Sequence, residues 1–446
     1  MSKGLENKTG AHVRRFKPYS AYKDSGVEWL GKVPELWMCK PLKRIFRTLN
    51  GATPRSAEPE YWDGDIPWVT PEDLGDLRSD VISETRRMIT EAGYNSCGTS
   101  LAPKGSLILS TRAPIGHLAI AGTAMCSNQG CRSLVFRNED NTRYFYYLLL
   151  AARSELTSFG EGSTFKELSR TKLETINLIT PRSDEQRAIA AFLDRETTRI
   201  DQLIAKKERQ IELLQEKRSA LISHAVTKGL NPKAKMKDSG IEWLGEIPEH
   251  WDVFRSKVVF AEINDRSDTG AEELLSVSHI TGVTPRSEKE VNMFMAESMA
   301  GYKKCKRNDL VVNTMWAWMG AMGIAFHDGI VSPSYNTYRF RSSAIEPRYY
   351  DFLFRTRQFI SEVICCSKGV WQSRLRLYPE EFFGIRVPCP PSDEQRKIVI
   401  YIDQQTGYIE EMRRKIEKSI GMLREYRTVL ISAAVTGKID VREEVA

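Results

Sequence analysis

Four stretches combine cationic side chains with hydroxyl, amide or aromatic groups, and such groups are suited to binding nucleic acid. Asn95–Asn138 and Cys366–Tyr378 contain no Asp or Glu, Tyr302–Arg307 reads YKKCKR, and Phe159–Leu173 reads FGEGSTFKELSRTKL. Arg and Gln pair bidentately with base edges, whereas Lys, Ser and Thr hold phosphates. The candidate DNA-contact residues are Lys104, Arg112, Arg132, Thr164, Lys166, Arg170, Lys172, Lys303, Lys304, Arg307, Trp371, Gln372, Arg374 and Arg376.

The distribution of charge gives limited support to a polyanionic partner. The whole chain carries +7, but residues 23–182 carry only +1 and residues 237–391 carry −1. A nucleic-acid surface must therefore come from local clustering and not from bulk charge. A short cationic run is also what an ordinary solvated surface looks like, so each stretch taken alone leaves that interpretation open.

The chain carries none of the common catalytic signatures. It has no G-x-x-x-x-G-K-[ST] phosphate loop, no Gly-rich loop for a methyl-donor cofactor and no Asn-Pro-Pro-aromatic tetrad. Its only Glu-x-Lys, Glu6 to Lys8, has no acidic partner arranged as in a nuclease, and its six histidines form no H-x-x-x-H pair. We therefore expect a chain that binds and does not catalyse, with no metal site and no cofactor of its own.

The sequence repeats itself at a long interval. Lys23–Trp37 reads KDSGVEWLGKVPELW and Lys237–Trp251 reads KDSGIEWLGEIPEHW, identical at 11 of 15 positions. The pentapeptide SDEQR also occurs twice, 209 residues apart. By that offset the cationic stretches Phe159–Leu173 and Cys366–Tyr378 are equivalent, which strengthens the case for DNA contact at both. Two half-molecules of similar size predict a protein with a pseudo-two-fold repeat.

Two large segments predict mainly β domains with a few helices. In residues 23–182, apolar runs such as SLILS, HLAIAG and CRSLVF are of strand length and are separated by Gly and Pro. Residues 237–391 follow the same scheme with DLVVN and MGIAF. The segments YFYYLLLAAR and YYDFLFRTRQFI predict one helix in each domain. The predicted fold class is α+β.

A long helical pattern follows each β segment. Each SDEQR comes directly after proline-containing sequence, and Ser183 with Gln186 fits a capping box, in which each side chain satisfies an orphan amide. The second SDEQR predicts the same cap. Gly229 and Gly437 are the expected terminators. From residue 184 to residue 226 the first helix would span about 65 Å.

Apolar residues recur at seven-residue spacing in both helices, which is typical of a coiled coil. The alternative is that each helix is an amphipathic surface helix on its own domain. Two matched helices in one chain favour pairing with each other, and an antiparallel pair would hold the β domains at opposite ends and set their separation. The predicted seam residues are Leu193, Ile200, Leu214 and Leu221 in the first helix and Ile402, Ile409, Ile416, Leu423 and Leu430 in the second.

Cysteine usage and hydropathy indicate a cytoplasmic protein that does not contact membrane. The eight cysteines show no C-x-x-C spacing, and Cys365 and Cys366 are adjacent, which favours free thiols. No apolar stretch approaches the roughly 20 residues of a membrane span. Residues 1–22 are polar and basic, unlike a signal peptide.

The doubled KDSG-[VI]-E-W-L-G-x-[VI]-P-x-x-W segment and the two SDEQR helices with related ISxAVT tails resemble the specificity subunits of type I DNA restriction–modification enzymes. The resemblance covers nearly all of the chain beyond the first twenty residues. It implies a basic tail at 1–22, target-recognition domains at 23–182 and 237–391, spacer helices at 183–229 and 392–438, a linker at 230–236 and a C-terminal tail at 439–446.

The resemblance also implies a function and a set of partners. Each domain would read one half of an asymmetric, interrupted sequence in double-stranded DNA, and the helices would space the halves. Two modification (methyltransferase) subunits and, through them, restriction (translocase–nuclease) subunits would dock on the chain and carry S-adenosylmethionine, ATP and Mg. The helix surface with Arg187, Arg195 and Arg199 is a candidate docking site. The KDSG segments are interpreted as structural, packing the start of each domain near a helix end.

Two other classes of function stay open on the sequence alone. One is a nuclease or methyltransferase with an unrecognised motif, which would modify or cut DNA as the purified chain. The other is a coiled-coil scaffold, or a DNA-binding protein, outside restriction–modification. A DNA affinity that does not depend on base sequence or on salt concentration would favour the scaffold. Specific recognition combines phosphate contacts, which are sensitive to salt, with discrimination between bases.

Overall fold

The computed structural model describes residues 16–138, 141–161, 166–288, 298–371 and 374–445. The chain divides into two compact units. The first comprises Met1–Lys206 with Ser419–Ala446, and the second comprises Lys207–Lys418. Both divisions fall inside a long helix, so each unit contains a β domain and segments of both long helices.

The first unit contains twelve of the strands and the start of the first long helix among its described residues. In chain order the elements are β1 (Tyr22–Asp24), β2 (Lys32–Pro34), β3 (Met38–Pro41), α1 (Leu42–Ile45), β4 (Phe46–Asn50), β5 (Trp62–Val69), α2 (Pro71–Asp76), β6 (Val81–Ile82), β7 (Met88–Ile89), α3 (Glu91–Ser96), β8 (Leu107–Ser110), β9 (Leu118–Ala121), β10 (Cys126–Ser127), β11 (Cys131–Phe136), α4 (Thr142–Ala151), α5 (Arg153–Ser158), α6 (Arg170–Thr175), β12 (Asn177–Thr180) and α7 (Ser183–Lys228).

A five-stranded sheet, ordered β4-β11-β8-β9-β6, forms the centre of this unit. Strands β8 and β9 are buried at every residue, as expected of strands covered on both faces. The runs SLILS, HLAIAG and CRSLVF supply β8, β9 and β11, so these predicted strands are confirmed. A second sheet, β10-β5-β7, carries Trp62 and Trp68, whose rings meet edge to face with centroids 5.1 Å apart.

The second unit repeats the order of its larger elements with shorter sheets. Its elements are β13 (Met236–Asp238), β14 (Glu246–Pro248), β15 (Asp252–Arg255), α8 (Ser256–Val259), β16 (Phe260–Ile263), β17 (Leu275–Ser278), β18 (Gly282–Pro285), β19 (Lys303–Cys305), β20 (Leu310–Asn313), β21 (Met322–Ile324), β22 (Gly329–Val331), β23 (Tyr335–Phe340), α9 (Pro347–Phe354), α10 (Arg357–Cys366), α11 (Pro379–Gly384), β24 (Arg386–Cys389) and α12 (Ser392–Val435).

The central sheet of this unit is ordered β16-β23-β20-β21, and two of its neighbouring strands, β20 and β21, have the predicted positions. DLVVN and MGIAF supply β20 and β21. The single helix predicted from YYDFLFRTRQFI is instead two helices, α9 and α10. The break occurs because the Thr356 hydroxyl accepts the Phe359 backbone N–H at 3.3 Å and so starts a new helix.

Both long helices end where the sequence predicts. Helix α7 has 46 residues and α12 has 44. The glycines that follow, Gly229 and Gly437, have φ of +76° and +70°. This left-handed conformation suits glycine because a Cβ would be strained there, and it satisfies the last carbonyl groups of a helix.

The predicted capping boxes are wrong. Gln186 is only 2% exposed, and its side chain bonds to backbone groups outside its own helix. Its Nε2 donates to the carbonyl of Pro181 at 3.1 Å, and its Oε1 accepts the backbone N–H of Asn141 at 3.1 Å. The side chain therefore satisfies two backbone groups of the domain, since buried polar groups are costly when unpaired.

The second SDEQR uses its glutamine in the same way. Gln395 is 1% exposed, donates to the carbonyl of Pro390 at 2.8 Å and accepts the backbone N–H of Glu346 at 2.9 Å. Asn141 and Glu346 each precede a domain helix, α4 and α9. The repeated glutamine thus ties the start of a long helix to the start of a domain helix in each unit.

In the first unit the two long helices run antiparallel. Nε of Arg427 in α12 lies 3.0 Å from Oδ1 of Asp201 in α7. Nearer the start of α7, Nε of Arg442, in the tail that follows α12, lies 3.9 Å from Oε1 of Glu185. Residue numbers fall along one partner as they rise along the other, which is the predicted orientation.

In the second unit the end of α7 packs beside the start of α12. Ala225 and Val226 belong to the same hydrophobic core as Ile398 and Ile402. The hydroxyl of Tyr349 donates to the carbonyl of Val226 at 2.7 Å, inside this core. The orientation is again antiparallel.

The predicted seam positions are turned away from solvent in both helices. Their assignment to a coiled coil stays a prediction, since burial alone does not establish knobs-into-holes packing. The buried positions are Leu193, Ile200, Ile402, Ile409 and Leu430, and the half-buried positions are Leu214, Leu221, Ile416 and Leu423.

Each KDSG segment packs on the end of a long helix, which agrees with its structural interpretation. Trp37 lies against Gly437, where a Cβ would approach the indole ring to 3.2 Å. A Cβ at Gly229 would likewise approach the indole ring of Trp251 to 3.2 Å. Nε1 of Trp251 also donates to Oε2 of Glu394 at 3.0 Å. The terminal glycines are therefore required by close packing as well as by φ.

A lysine at each helix end completes this contact. Nζ of Lys438 donates to the carbonyls of Leu30 at 3.0 Å and Lys32 at 2.6 Å. Nζ of Lys228 donates to the carbonyls of Leu244, at 3.1 Å, and Glu246. The tails that look alike in the sequence thus make the same contacts in each unit.

All eight cysteines are free thiols, as predicted. Within the residues that the structure describes, no helix is both long and apolar enough to cross a bilayer.

Replacing the buried glutamine tests its role in joining helix to domain. Gln395→Leu leaves the Glu346 N–H and the Pro390 carbonyl buried without partners, so we expect a loss of about 1–3 kcal/mol in the free energy of unfolding. Gln404→Leu is the matched control, because Gln404 is exposed on the same helix and its replacement should change stability by less than about 0.5 kcal/mol. Urea unfolding of both variants measures the difference, and equal midpoints would contradict the assignment.

Candidate nucleic-acid interface

Three predicted DNA-contact residues of the first unit lie around one carboxylate. Nε of Arg112 lies 3.1 Å from Oε2 of Glu167. The charges of Glu167, Arg112 and Arg170 all act on the guanidinium of Arg132. The four residues come from different elements, so their proximity is a product of the fold. We call this group the arginine cluster.

Two adjacent loops position the arginine cluster. The first loop, residues 111–116, follows β8 and carries Arg112. The second is closed by the backbone pairing of Glu161 with Glu167, with N–O distances of 3.0 and 2.8 Å, and we call these paired residues the hairpin. The Leu168 N–H donates to the Thr111 carbonyl at 2.7 Å and holds the hairpin against the loop.

Arg132 carries the least compensated charge of the cluster. It lies half-buried on β11, and among the described residues its Nε has no hydrogen-bond partner. Burial lowers the pKa of its guanidinium; Glu167 acts to raise it, and Arg112 and Arg170 act to lower it further. A phosphate or a guanine edge beside the cluster would supply negative potential to this guanidinium.

The other candidates in this unit are more dispersed. Lys104 and Lys166 are exposed. Lys172 forms an ion pair with Glu161 in the hairpin, and Arg170 forms one with Glu174 at 2.7 Å on α6. Thr164 lies outside the described residues.

The YKKCKR stretch of the second unit is less cationic at the surface than its sequence indicates. Lys303 is 6% exposed, and its Nζ donates to Oδ1 of Asn336 at 3.1 Å. Burial lowers the pKa of this ammonium group. Nζ of Lys304 lies 3.6 Å from Glu272, whereas the side chain of Arg307 is exposed. Strand β19 places alternate side chains on opposite faces, so one lysine of the run points inward.

The acid-free stretch of the second unit forms a hairpin. Lys368 and Arg376 pair through their backbones at 2.9 and 2.8 Å. Trp371 is 68% exposed and Arg374 is also exposed, with no carboxylate paired to it among the described residues. The guanidinium of Arg376 donates to the Leu375 carbonyl at 2.9 Å. Gln372 lies outside the described residues.

In both units a loop after a central strand is hydrogen-bonded to a hairpin. We call this arrangement the loop frame, and its side chains differ between the units. In the second unit the hairpin is held by the Leu377 N–H, which donates to the carbonyl of Thr314 at 3.3 Å. Thr314 begins the loop after β20, just as Thr111 begins the loop after β8. Where the first unit has Arg112, this loop has Met315 and Trp316. The equivalence of the two hairpins by their sequence offset is thus matched by equivalent contacts.

Glu167 and Trp316 are the residues of this frame that the sequence analysis missed. Glu167 gives no signal in the sequence, because a single carboxylate in a cationic stretch does not indicate a contact with DNA. Trp316 belongs to an apolar turn that carries no charge, and only alignment of the two Thr-initiated loops would have drawn attention to it.

Of the three helix arginines considered for docking, two make contacts within α7 and the third contacts the C-terminal tail. Arg187 donates to Oγ of Ser183 at 3.0 Å, and NH1 of Arg199 lies 3.7 Å from Glu196. Arg195 donates to the carbonyl of Glu444 at 2.6 Å. Among the described residues, no cluster of His, Cys, Asp and Glu is arranged to hold a metal ion.

A segment of the chain is similar to a family of known proteins. A family model described as "Type I restriction modification DNA specificity domain" matches residues 34–213, which include the arginine cluster and the start of α7. Residues 34–213 are thus similar to a type I restriction modification DNA specificity domain. The matched segment covers most of the first β domain, including the loop frame found there.

Named relatives extend the similarity beyond the specificity domain. The chain is 36% identical over 203 residues to the type I restriction enzyme MjaIX specificity subunit of Methanocaldococcus jannaschii, and this match spans 45% of the chain and 45% of that relative. The chain thus spans about half the length of this relative. It is 22% identical to the MjaVIII specificity subunit of the same organism over 92% of the chain and 95% of the relative.

A solved structure confirms the predicted fold class. A chain from a structure of the type I R-M system, concerned with complex assembly and conformational transition, superposes with a TM-score of 0.64 and 15% identity, covering 90% of this chain and 98% of the other. The α+β fold with two domains, each followed by a long helix, is therefore shared with that chain.

Substitutions at the arginine cluster should change DNA affinity in opposite directions. Arg112→Ala removes a phosphate-binding charge, so we expect weaker binding to duplex DNA and a salt-dependence slope smaller in magnitude by about 1. Glu167→Gln removes the competing carboxylate and should strengthen non-specific binding. Fluorescence anisotropy over a series of salt concentrations measures both.

The control for this pair is Arg209→Ala, because Arg209 is exposed on α7 and paired with Glu212 at 2.6 Å. It should leave DNA affinity and slope unchanged. If Arg112→Ala and Arg209→Ala have the same effect, the cluster is not a specific contact site.

Proposed function

We propose that this chain is the specificity subunit of a type I restriction–modification enzyme and that its two β domains read the two halves of an asymmetric, interrupted DNA target. The observation that carries the proposal is the shared loop frame, occupied by different side chains in the two units. One scaffold with two sets of contacts is what reading two unrelated half-sites requires. Base contacts specify a sequence, whereas phosphate contacts only position the protein.

The long helices are proposed to set the spacing between the half-sites. Their antiparallel packing supports this role: Asp201 pairs with Arg427 in the first unit, and Val226 and Ile398 belong to one hydrophobic core in the second. Half-sites about 34–36 Å apart present their major grooves to the same face of a duplex. Two helices packed together resist bending, so they would hold the distance between the half-sites constant.

We further propose that modification subunits, and through them restriction subunits, dock on the long helices. Exposed apolar side chains support this, because monomeric proteins rarely leave such groups in rows without a partner. In the second unit Tyr401, Tyr408 and Met412 are exposed on α12, and in the first unit Met422 and Tyr426 are. The arginines Arg187, Arg195 and Arg199 would flank such a surface.

In this proposal the chain supplies recognition and its partners supply chemistry. S-adenosylmethionine would be bound by the modification subunits, and ATP and Mg by the restriction subunits, in the cytoplasm. No motif or described metal cluster of this chain offers an alternative centre. A chain that scaffolds without reading DNA is the competing function.

A methylome distinguishes these functions directly. Cells that express this chain with its neighbouring modification subunit are compared with cells that express the modification subunit alone. We expect a new methylated motif with two unrelated halves separated by unspecified bases. A stable complex without any new motif would support the scaffold, and DNA modification by the purified chain alone would establish catalysis instead.

A matched insertion in both helices tests the spacer. The Asp201–Arg427 contact places Lys206 opposite Met422, so a heptad inserted after each of Lys206 and Gly421 preserves the antiparallel register. Seven residues add about 10 Å of helix, or about three base pairs. We expect a methylated motif with a longer gap and both half-sequences unchanged. Altered half-sequences, or an unchanged gap, would refute the spacer.

A further inference from the structure

The loop frame of the second unit exposes tryptophan. Trp316 is 49% exposed in the loop after β20, and Trp371 is 68% exposed in the adjacent hairpin. Val370, next to it, is 93% exposed. Indole rings are large apolar surfaces that proteins generally bury, so two of them at one edge of a domain indicate a ligand with a flat apolar face.

The first tryptophan is held in place by its turn. Its ring stacks on that of Trp318, with centroids 6.0 Å apart and planes 23° apart. Nε1 of Trp318 donates to the carbonyl of Met315 at 3.0 Å. Gly320 ends the turn with φ of +87°, and a Cβ there would come within 2.7 Å of Ile360, so the turn is seated on α10. The exposed indole is therefore presented by a rigid support.

The second tryptophan belongs to a hairpin that is fixed to the same loop. The Trp371 carbonyl accepts the backbone N–H of Arg374 at 2.8 Å, and the Leu377 N–H reaches the Thr314 carbonyl. Lys368, at the base of the hairpin, forms an ion pair with Glu381. The exposed guanidinium of Arg374 supplies positive charge beside the indole, which suits a ligand that is both flat and anionic.

We propose that Trp316 and Trp371 form an apolar wedge that stacks against bases at a locally unstacked step of the DNA half-site read by the second unit. The inference rests on the proposed function, which it deepens by naming the mode of contact. Side chains inserted between base steps distort a duplex and are stabilised by stacking. Charge complementarity at Arg374 and the shared frame with the arginine cluster favour DNA over a protein partner.

The two units then read DNA by different physical means. The first unit presents Arg112 and Pro114 in its loop, where the second presents Trp316. The arginine cluster contacts phosphates and base edges of an intact duplex, whereas the wedge senses how easily a base step opens. Sequence preference in the second half-site would therefore include steps that unstack readily, such as pyrimidine–purine steps.

A bulged duplex tests the wedge without knowledge of the target. The complete chain with its modification subunit is bound at low salt to a short duplex of arbitrary sequence, and to the same duplex with a single unpaired nucleotide. We expect the wild-type complex to prefer the bulged duplex, because its stack is already opened. Trp371→Ala and Trp316→Ala should each weaken binding to the bulged duplex about tenfold and remove the preference. Trp371→Phe should retain it.

The controls separate this inference from the proposed function. Phe254→Ala, at an aromatic residue exposed on β15 of the same unit, should behave as wild type. Equal affinity of the wild-type complex for the two duplexes would overturn the wedge. Tryptophan variants that bind DNA normally but fail to assemble with the modification subunit would also overturn it and assign the surface to a protein. A methylome without a bipartite motif, by contrast, would overturn the proposed function whatever the bulge experiment gives.

Discussion

In each unit, the core of the β domain is closed by the last turn of a long helix that begins in the other half of the sequence. The rest of the structure depends on this exchange of helix ends. In the first unit the hydroxyl of Tyr144 donates to the carbonyl of Ile179 at 3.2 Å and lies 3.3 Å from that of Val435. In the second, Tyr349 donates to Val226. Both tyrosines are fully buried, and burial raises their pKa well above the usual value, so the neutral hydroxyl remains the donor.

This exchange explains why the KDSG segments and the helix ends are the parts of the chain that repeat most closely. In each unit, one contact is formed by the last tryptophan of the KDSG segment, the glycine that ends the long helix and the lysine beside that glycine. A change in any of the three would open a core, because a buried indole leaves a large cavity and a side chain on the glycine overlaps its neighbours. The buried glutamine of SDEQR fixes the other helix of each pair to the same domain.

The loops carry the differences between the halves. They lie at the ends of β8 and β20, on strands whose own residues are buried, so they can vary without disturbing the core. The first unit places three arginines around Glu167, and the second presents tryptophan on the same frame. A constant scaffold with variable loops lets one fold hold two different recognition surfaces.

The repeat, the long helices with their glycine ends, the central strands and the family resemblance could all be predicted from the sequence alone. These are local or periodic features, and each depends on residues close together in the chain. The sequence did not determine the role of Gln186 and Gln395, because their partners are 45 and 49 residues away and a capping box has the same residue types at the same spacing. Nor did it separate Lys303, which is buried, from its exposed neighbours, since only strand pairing decides which side faces the core. The arginine cluster joins residues from two loops, a strand and a helix, and the tryptophan surface joins two loops. Such groups exist only after the chain has folded, because long-range packing and not sequence spacing brings their side chains together.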